Sequence, residues 1–164
     1  MNETTVKSMS LIVSKGTMDW AYPPFILATT AAGMGLRVSM FFTFYGLQLL
    51  KKDLGHLKVT PLGNPAMRMP VAGMELGFPN MAACMPGASA VATAAMKRLI
   101  DRKKVPSIIE LRDTAVELGI RLIGCEMSMD LFEITTSDMI DGVEIAGAAS
   151  YIETALQSEI NLFI

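Results

Sequence analysis

Apolar residues along the chain come in two textures, short solid runs and helical stripes, and they alternate. Met9–Val13, MSLIV, is a compact apolar run that stops at Ser14-Lys15-Gly16, the profile of a buried parallel strand followed by a turn. Thr17 or Asp19 can cap the next helix, with Pro23 and Pro24 near its first turns, and Gly33-Met34-Gly35 ends it. Leu36–Phe44 reads as a second strand, and the residues from Gly46 to Lys52 as a short helix. A strand, a helix and a strand in this order predict a right-handed crossover and parallel pairing.

The texture changes between Asp53 and Gly87, where Pro61, Pro65, Pro70, Pro79 and Pro86 interrupt any regular period. This stretch is too apolar for a solvated linker, with Met67, Met69, Met74, Met81 and Met85. It is expected to pack against the domain or a neighbouring subunit and to shape access to the site. Helices are expected again over Ala88–Lys104 and Ile108–Leu118, the first ending in basic residues that complement its dipole. Ile120–Gly124 reads as a third strand with Cys125 at its carboxyl end. Ser128 can cap a short helix through Leu131, a long final helix is expected from Thr136–Asp138 onward, and Ile160–Ile164 is a last strand. The alternation predicts a single domain over residues 1–164, a three-layer α/β/α fold with a parallel sheet of four or five strands.

Composition sharpens this picture in two places. Hydrophobic residues make up 51% and charged residues 18%, with a mean hydropathy of +0.41. Such a chain either sits in a membrane or hides surface against copies of itself. Phe25–Leu47 is long enough to span a bilayer, but Gly33 and Gly35 interrupt it and Arg37 falls near its middle. Helix, turn and buried strand is the better reading, and a homo-oligomer the better explanation of the hydropathy. A net charge of −2 provides no basic field for nucleic acid. The beginning of the sequence lacks the pattern of a signal peptide, and two cysteines without a CxxC pair suggest free thiols in the cytoplasm. Cys84, Cys125 and the lone His56 fall short of the usual metal sites, and no cofactor motif follows a strand.

The chemistry therefore centres on Cys125. Reactive groups gather beyond the carboxyl ends of parallel strands, and a helix beginning about three residues later would favour a thiolate. A buried cysteine filling the end of a strand is the competing structural reading, and position alone leaves both open. A phosphatase loop needs an arginine six residues beyond its cysteine, where Leu131 stands. A rhodanese-like anion loop would be basic or glycine-rich, whereas Glu-Met-Ser-Met-Asp follows Cys125. An activated thiol without an evident base suits the passing of sulfur between thiols better than hydrolysis. Two alternatives are kept: a non-catalytic oligomeric module holding a small ligand beside Lys15 and Gly16, and, ranked last, a thiol peroxidase.

The run Cys125-Glu-Met-Ser-Met-Asp130, preceded by Gly119-Ile-Arg-Leu-Ile, resembles the cysteine motif of the DsrE/DsrF-like sulfur-transfer family, in particular its DsrE2-like branch. The likeness continues in Lys15-Gly16, in Gly63-Asn-Pro-Ala-Met-Arg-Met-Pro70, in Phe78-Pro-Asn-Met81 and in Ile140-Asp-Gly-Val-Glu144. The resemblance implies a homo-oligomeric α/β/α domain whose cysteine holds sulfur as a persulfide or thiosulfonate. It also implies exchange with TusA-like carriers or rhodaneses. Cys125 is then the sulfur-accepting thiol and Cys84 a possible second one, with Ser128, Asp130, Lys15, Gly16 and Arg68 in support. Arg68 is expected to serve a carboxylate such as Glu75 or Glu126, or an anionic sulfur ligand. The sequence departs from the branch at Glu133, where a glycine is more usual.

Overall fold

The computed structural model describes residues 6–59, 68–71, 74–77 and 83–164, with 68–71 and 74–77 described by their backbone. Five strands form one parallel sheet: β1 (Ser8–Val13), β2 (Arg37–Phe42), β5 (Arg121–Cys125), β6 (Glu144–Ala146) and β7 (Ile160–Phe163). Their order across the sheet is β6-β5-β2-β1-β7. The apolar runs read from the sequence occupy its interior, and Leu11, Met40 and Phe42 are wholly buried.

Two adjacent aromatic residues show why this sheet is covered on both sides. Successive side chains on a strand point to opposite faces. Phe42 meets Phe25 of α1 (Met18–Gly33), with ring centroids 6.0 Å apart. Its neighbour Phe41 meets Tyr151 of α5 (Ala148–Leu156) at 5.0 Å. Helices α1 and α5 therefore lie on opposite faces, and the fold is the expected three-layer α/β/α arrangement. Phe25–Leu47 is helix, turn and strand, and no helix among the described residues is long and apolar enough to cross a membrane.

The chain divides into two compact units. One contains the sheet and comprises the residues up to Gly16, Trp20–His56 and Ile108–Ile164. It also holds α3 (Ile108–Glu117) and α4 (Glu126–Leu131). The other unit comprises Thr17–Asp19 and Leu57–Ser107. In it, α2 (Ala88–Lys103) carries Thr93, whose hydroxyl accepts from the Val59 amide at 3.0 Å and donates to the Ser89 carbonyl at 2.6 Å.

Four expectations need correction. The second strand stops at Phe42, and a 3-10 helix runs over Phe44–Leu50. The long final helix does not form. Thr136–Asp138 is a single 3-10 turn, Gly142 takes a left-handed φ of 83°, and Glu144–Ala146 joins the sheet beside β5. Helix α4 begins at Glu126, so Cys125 itself is its N-cap and Ser128 lies inside it. The stretch over 53–87 contains a hairpin, β3 (Arg68–Val71) antiparallel to β4 (Met74–Gly77). Residues 60–67, 72–73 and 78–82 of that stretch, where much of its expected effect on access would arise, lie outside the described residues.

Two glycines bring the loops at the carboxyl edge together. A Cβ on Gly16 would overlap the Tyr45 carbonyl, and a Cβ on Gly46 would overlap the Val13 carbonyl. Only a residue without a side chain lets the backbone after β1 lie this close to the 3-10 segment after β2. The far end of that segment is held by Arg112 of α3, 4% exposed, which donates to the carbonyls of Lys51 (2.6 Å) and Leu49 (3.4 Å).

Candidate functional site

Cys125 ends β5 and is 7% exposed. It packs in a buried cluster with Phe41, Ile123 and Tyr151 at the carboxyl end of the strand. Phe42 pairs in register with Gly124, which places the next residue of each strand side by side: Thr43 and Cys125. Thr43 is extended, with φ −129° and ψ 159°, and its amide donates to the Val13 carbonyl at 3.0 Å. From the other side, the first turn of α4 brings up Ser128, 3% exposed. The Thr43 and Ser128 hydroxyl oxygens lie 3.0 Å apart.

These groups set the charge state of the thiol. Burial alone pushes the Cys125 thiol up. Hydrogen bonds from the Ser128 hydroxyl and amide, the Thr43 hydroxyl and the Met127 amide outweigh burial and hold it below the ordinary value of 9.0. A thiolate accepts all of these donors, whereas a thiol is a weak acceptor, so the surroundings favour the anion. One hydroxyl can turn to the other when the sulfur is protonated, which keeps both satisfied in either state. Among the described residues, the groups that lower the thiol are hydroxyls and amides, not carboxylates or imidazole.

The remaining candidates are placed variously. Lys15 stands 3.2 Å above the ring centroid of Trp20, a cation–π contact that occupies its ammonium group. Gly16 packs on the Tyr45 backbone and so helps fix the segment that carries Thr43. Asp130 and Glu126 are exposed on α4. Cys84 is a free, exposed thiol in the unit that holds α2. Arg68 opens β3, paired with Gly77, but its side chain and that of Glu75 lie outside the described residues, as do 63–67 and 78–81. No group of three or more His, Cys, Asp or Glu side chains with the spacing of a metal site occurs among the described residues.

Sequence reading missed Thr43 and the two aromatic residues after it. Phe44 has a left-handed φ of 47° and is 53% exposed, and Tyr45 is 63% exposed. Both rings meet Phe132, with centroids at 6.2 Å and 5.4 Å. Met127 and Leu131 are also exposed, so both segments that supply the hydroxyls carry exposed apolar side chains. A hydroxyl residue closing a buried strand was the available signal, but its proximity to Cys125 depends on strand order. A concavity lined by Ser8, Arg37, Ser39, Arg121 and Thr154 opens at the amino ends of the strands, the edge opposite Cys125. Its Arg121 is already paired with Glu144 at 2.7 Å, and Cys125 lies at the other edge.

Comparison with known proteins agrees with this fold. Over 158 residues the chain is 51% identical to the sulfur carrier protein DsrE2 of Allochromatium vinosum, covering 96% of this chain and 98% of that one. It is 27% identical to the uncharacterized protein YrkE of Bacillus subtilis, over the whole of both chains. The crystal structure of the ychN protein from E. coli shares the fold, with a TM-score of 0.54 at 11% identity, covering 97% of this chain and 100% of that one. The model of the DsrE/DsrF/DrsH-like family matches residues 5–163, nearly the full length. With that model matching nearly the whole chain, the chain belongs to the DsrE/DsrF/DrsH-like family.

Proposed function

We propose that this protein is a sulfur carrier that takes sulfur onto Cys125, as a persulfide or thiosulfonate, and passes it to the thiol of a partner. The observation that carries this reading is the hydrogen-bonded thiol itself. Cys125 is held toward the thiolate by two hydroxyls and two amides, and none of these groups can take its proton. Thiol exchange requires a nucleophilic sulfur that is also a good leaving group, and no general base. Hydrolysis by a cysteine would require one. The name of the 51%-identical relative supports the same chemistry.

Loading is a substitution at sulfur. The Cys125 thiolate attacks the outer sulfur of a donor persulfide, the donor's S–S bond breaks, and the donor departs as a thiolate. No oxidant or reductant is consumed. Small TusA-like carriers and rhodanese domains present persulfides of this kind and are the partners we propose. Work of this kind belongs in a reducing compartment, the cytoplasm, where a free thiol persists. Exposed Cys84 is positioned on the surface to act as a second thiol.

Intact mass measurement after incubation with polysulfide or tetrathionate tests the reading. Added sulfur or thiosulfonate should be found on wild type, be retained by Cys84→Ser and be absent from Cys125→Ser. Modification of Cys84 alone, or of neither thiol, would refute Cys125 as the carrier.

A further inference from the structure

We infer that β7 is an assembly edge: two copies of the chain pair their β7 strands antiparallel about a twofold axis at Leu162, joining two five-stranded sheets into one of ten strands.

Strand β7 closes the sheet, with β1 on its inner side and no strand among the described residues on its outer side. Open edges are commonly blunted by lysine, proline or a bulge. Strand β7 has none of these: it reads Ile-Asn-Leu-Phe and pairs with β1 in unbroken register. Ile160, Asn161 and Phe163 are exposed.

The backbone selects the occupant. Ile164 spends both of its groups on β1: its amide donates to the Ile12 carbonyl at 2.9 Å, and its carbonyl accepts from the Ser14 amide at 2.8 Å. The amide and carbonyl of one strand residue point the same way, and successive residues alternate. Leu162 therefore also faces β1, while Asn161 and Phe163 turn their amides and carbonyls outward. Antiparallel pairing sets such residues directly opposite one another, each pair exchanging two hydrogen bonds. With the twofold at Leu162, Asn161 of each copy meets Phe163 of the other, and every one of these outward groups is satisfied. A twofold at Asn161 would instead set Phe163 against Glu159, whose amide already donates to the Ser8 carbonyl at 3.1 Å. The edge is thus complementary to itself, and a second copy fits it without any other sequence.

Side chains agree with the backbone. Phe163 shares a face with Ile12, its partner in register, and Ile12 packs on the cluster of Phe41 and Tyr151. That is the face covered by α5, whose Ile152 and Leu156 are exposed. Antiparallel pairing at an edge keeps like faces on the same side, so these apolar residues of two copies come onto one continuous face. No charged side chain on β7 opposes the approach.

The pairing also fixes where the two thiols stand. Seven strand spacings separate β5 of one copy from β5 of the other, roughly 34 Å at about 4.8 Å each. The twofold points the carboxyl ends of the two sheets in opposite directions. Neither Cys125 can reach the other, so each works alone and the assembly offers its two sites at opposite edges.

The test uses Cys84→Ser, Cys125→Ser protein carrying either Leu162→Cys or Ile160→Cys, mildly oxidised with diamide and run on a non-reducing gel. Facing residues at the twofold lie about 4.5 Å apart between Cα atoms, within disulfide range, so Leu162→Cys should give a covalent dimer. The two copies of position 160 lie four residues out of register, about 13 Å along the strands, so Ile160→Cys should remain single chains. Phe163→Pro removes an outward amide without costing a bond to β1, and should lower the light-scattering mass of the parent by about half or more. Circular dichroism checks each fold, and where Leu162→Cys protein does not fold, Phe163→Pro decides alone. Equal linking at both positions, no linking of folded Leu162→Cys protein, or a parent mass of one chain would each overturn the pairing. So would a folded Phe163→Pro variant that keeps the parent's mass, since the copies would then join elsewhere.

Discussion

At the scale of single residues, the site is a thiol and two hydroxyls, and its behaviour toward pH is set by their donors. Removing a group that stabilises the charged form raises a thiol's pKa, and a depressed pKa means that thiolate persists at lower pH. Alkylation of Cys125 by iodoacetamide, followed in Cys84→Ser protein, should therefore reach half its maximal rate below pH 9.0. The rate should fall as pH drops through that midpoint, and Thr43→Val should move the midpoint upward. A midpoint at or above 9.0 in the parent protein would contradict the geometry. Cys125 is legible in the sequence because it comes after a solid apolar run, and its motif strengthens the reading. Thr43 is not, since nothing in the order of residues states that the strand ending at Phe42 lies beside the one ending at Cys125.

At the scale of elements, backbone conformation identifies two positions where one residue decides local stability. Glu133 closes α4 with a left-handed φ of 52°, the conformation glycine adopts without penalty, and its exposed side chain has no packing to lose. Glu133→Gly should raise stability by about 0.5–1 kcal/mol, read as a higher urea midpoint at unchanged slope. An unaltered or lower midpoint would count against the account. Gly46 is the opposite case. A methyl group there meets the Val13 carbonyl, so Gly46→Ala should cost about 2–3 kcal/mol and displace the Thr43 segment. Its urea midpoint should fall, and the alkylation midpoint of Cys125 should rise with it.

Most elements can be read from periodicity because buried parallel strands leave solid apolar runs. The exceptions are short. Glu144–Ala146 is three residues, too few to show a period, and it is a strand only because β5 offers it an edge. The 3-10 helix at Phe44–Leu50 is partly legible as a short helix. Its start before Gly46 depends on a left-handed Phe44, which no apolar pattern announces. The start of α4 differs for a related reason. Ser128 has the chemistry of a cap, but it stands inside the helix with its hydroxyl oxygen 3.0 Å from that of Thr43, and Cys125 takes the capping position.

At the scale of the whole molecule, the apolar content evident in the composition reappears as exposed surface. On the sheet-bearing unit, Leu156 is 82% exposed, Phe163 72% and Ile152 55%. Side chains of this kind are seldom left in water in such numbers, and a second copy of the chain is the partner we propose for them. Light scattering at micromolar concentration should give a multiple of the 17.7 kDa chain mass. A mass near that of one chain would rule the assembly out. Leu156→Glu should weaken the assembly while leaving the Cys125 chemistry of the folded chain intact.

The strand order also has a consequence for how the protein is made. Strand β1 lies inside the sheet, with β2 on one side and β7 on the other, and Met9 pairs with Ile160. On a ribosome, β2 emerges soon after β1 and can pair with it at once. The other edge of β1 must wait for nearly all of the intervening chain to be translated. Throughout that interval a row of unpaired backbone donors and acceptors, flanked by some of the most apolar residues in the sequence, stands open to any passing strand. The nascent chain is thus most vulnerable to misassembly through its earliest strand, and a chaperone that shields that edge would do more for its yield than one that acts on the finished fold.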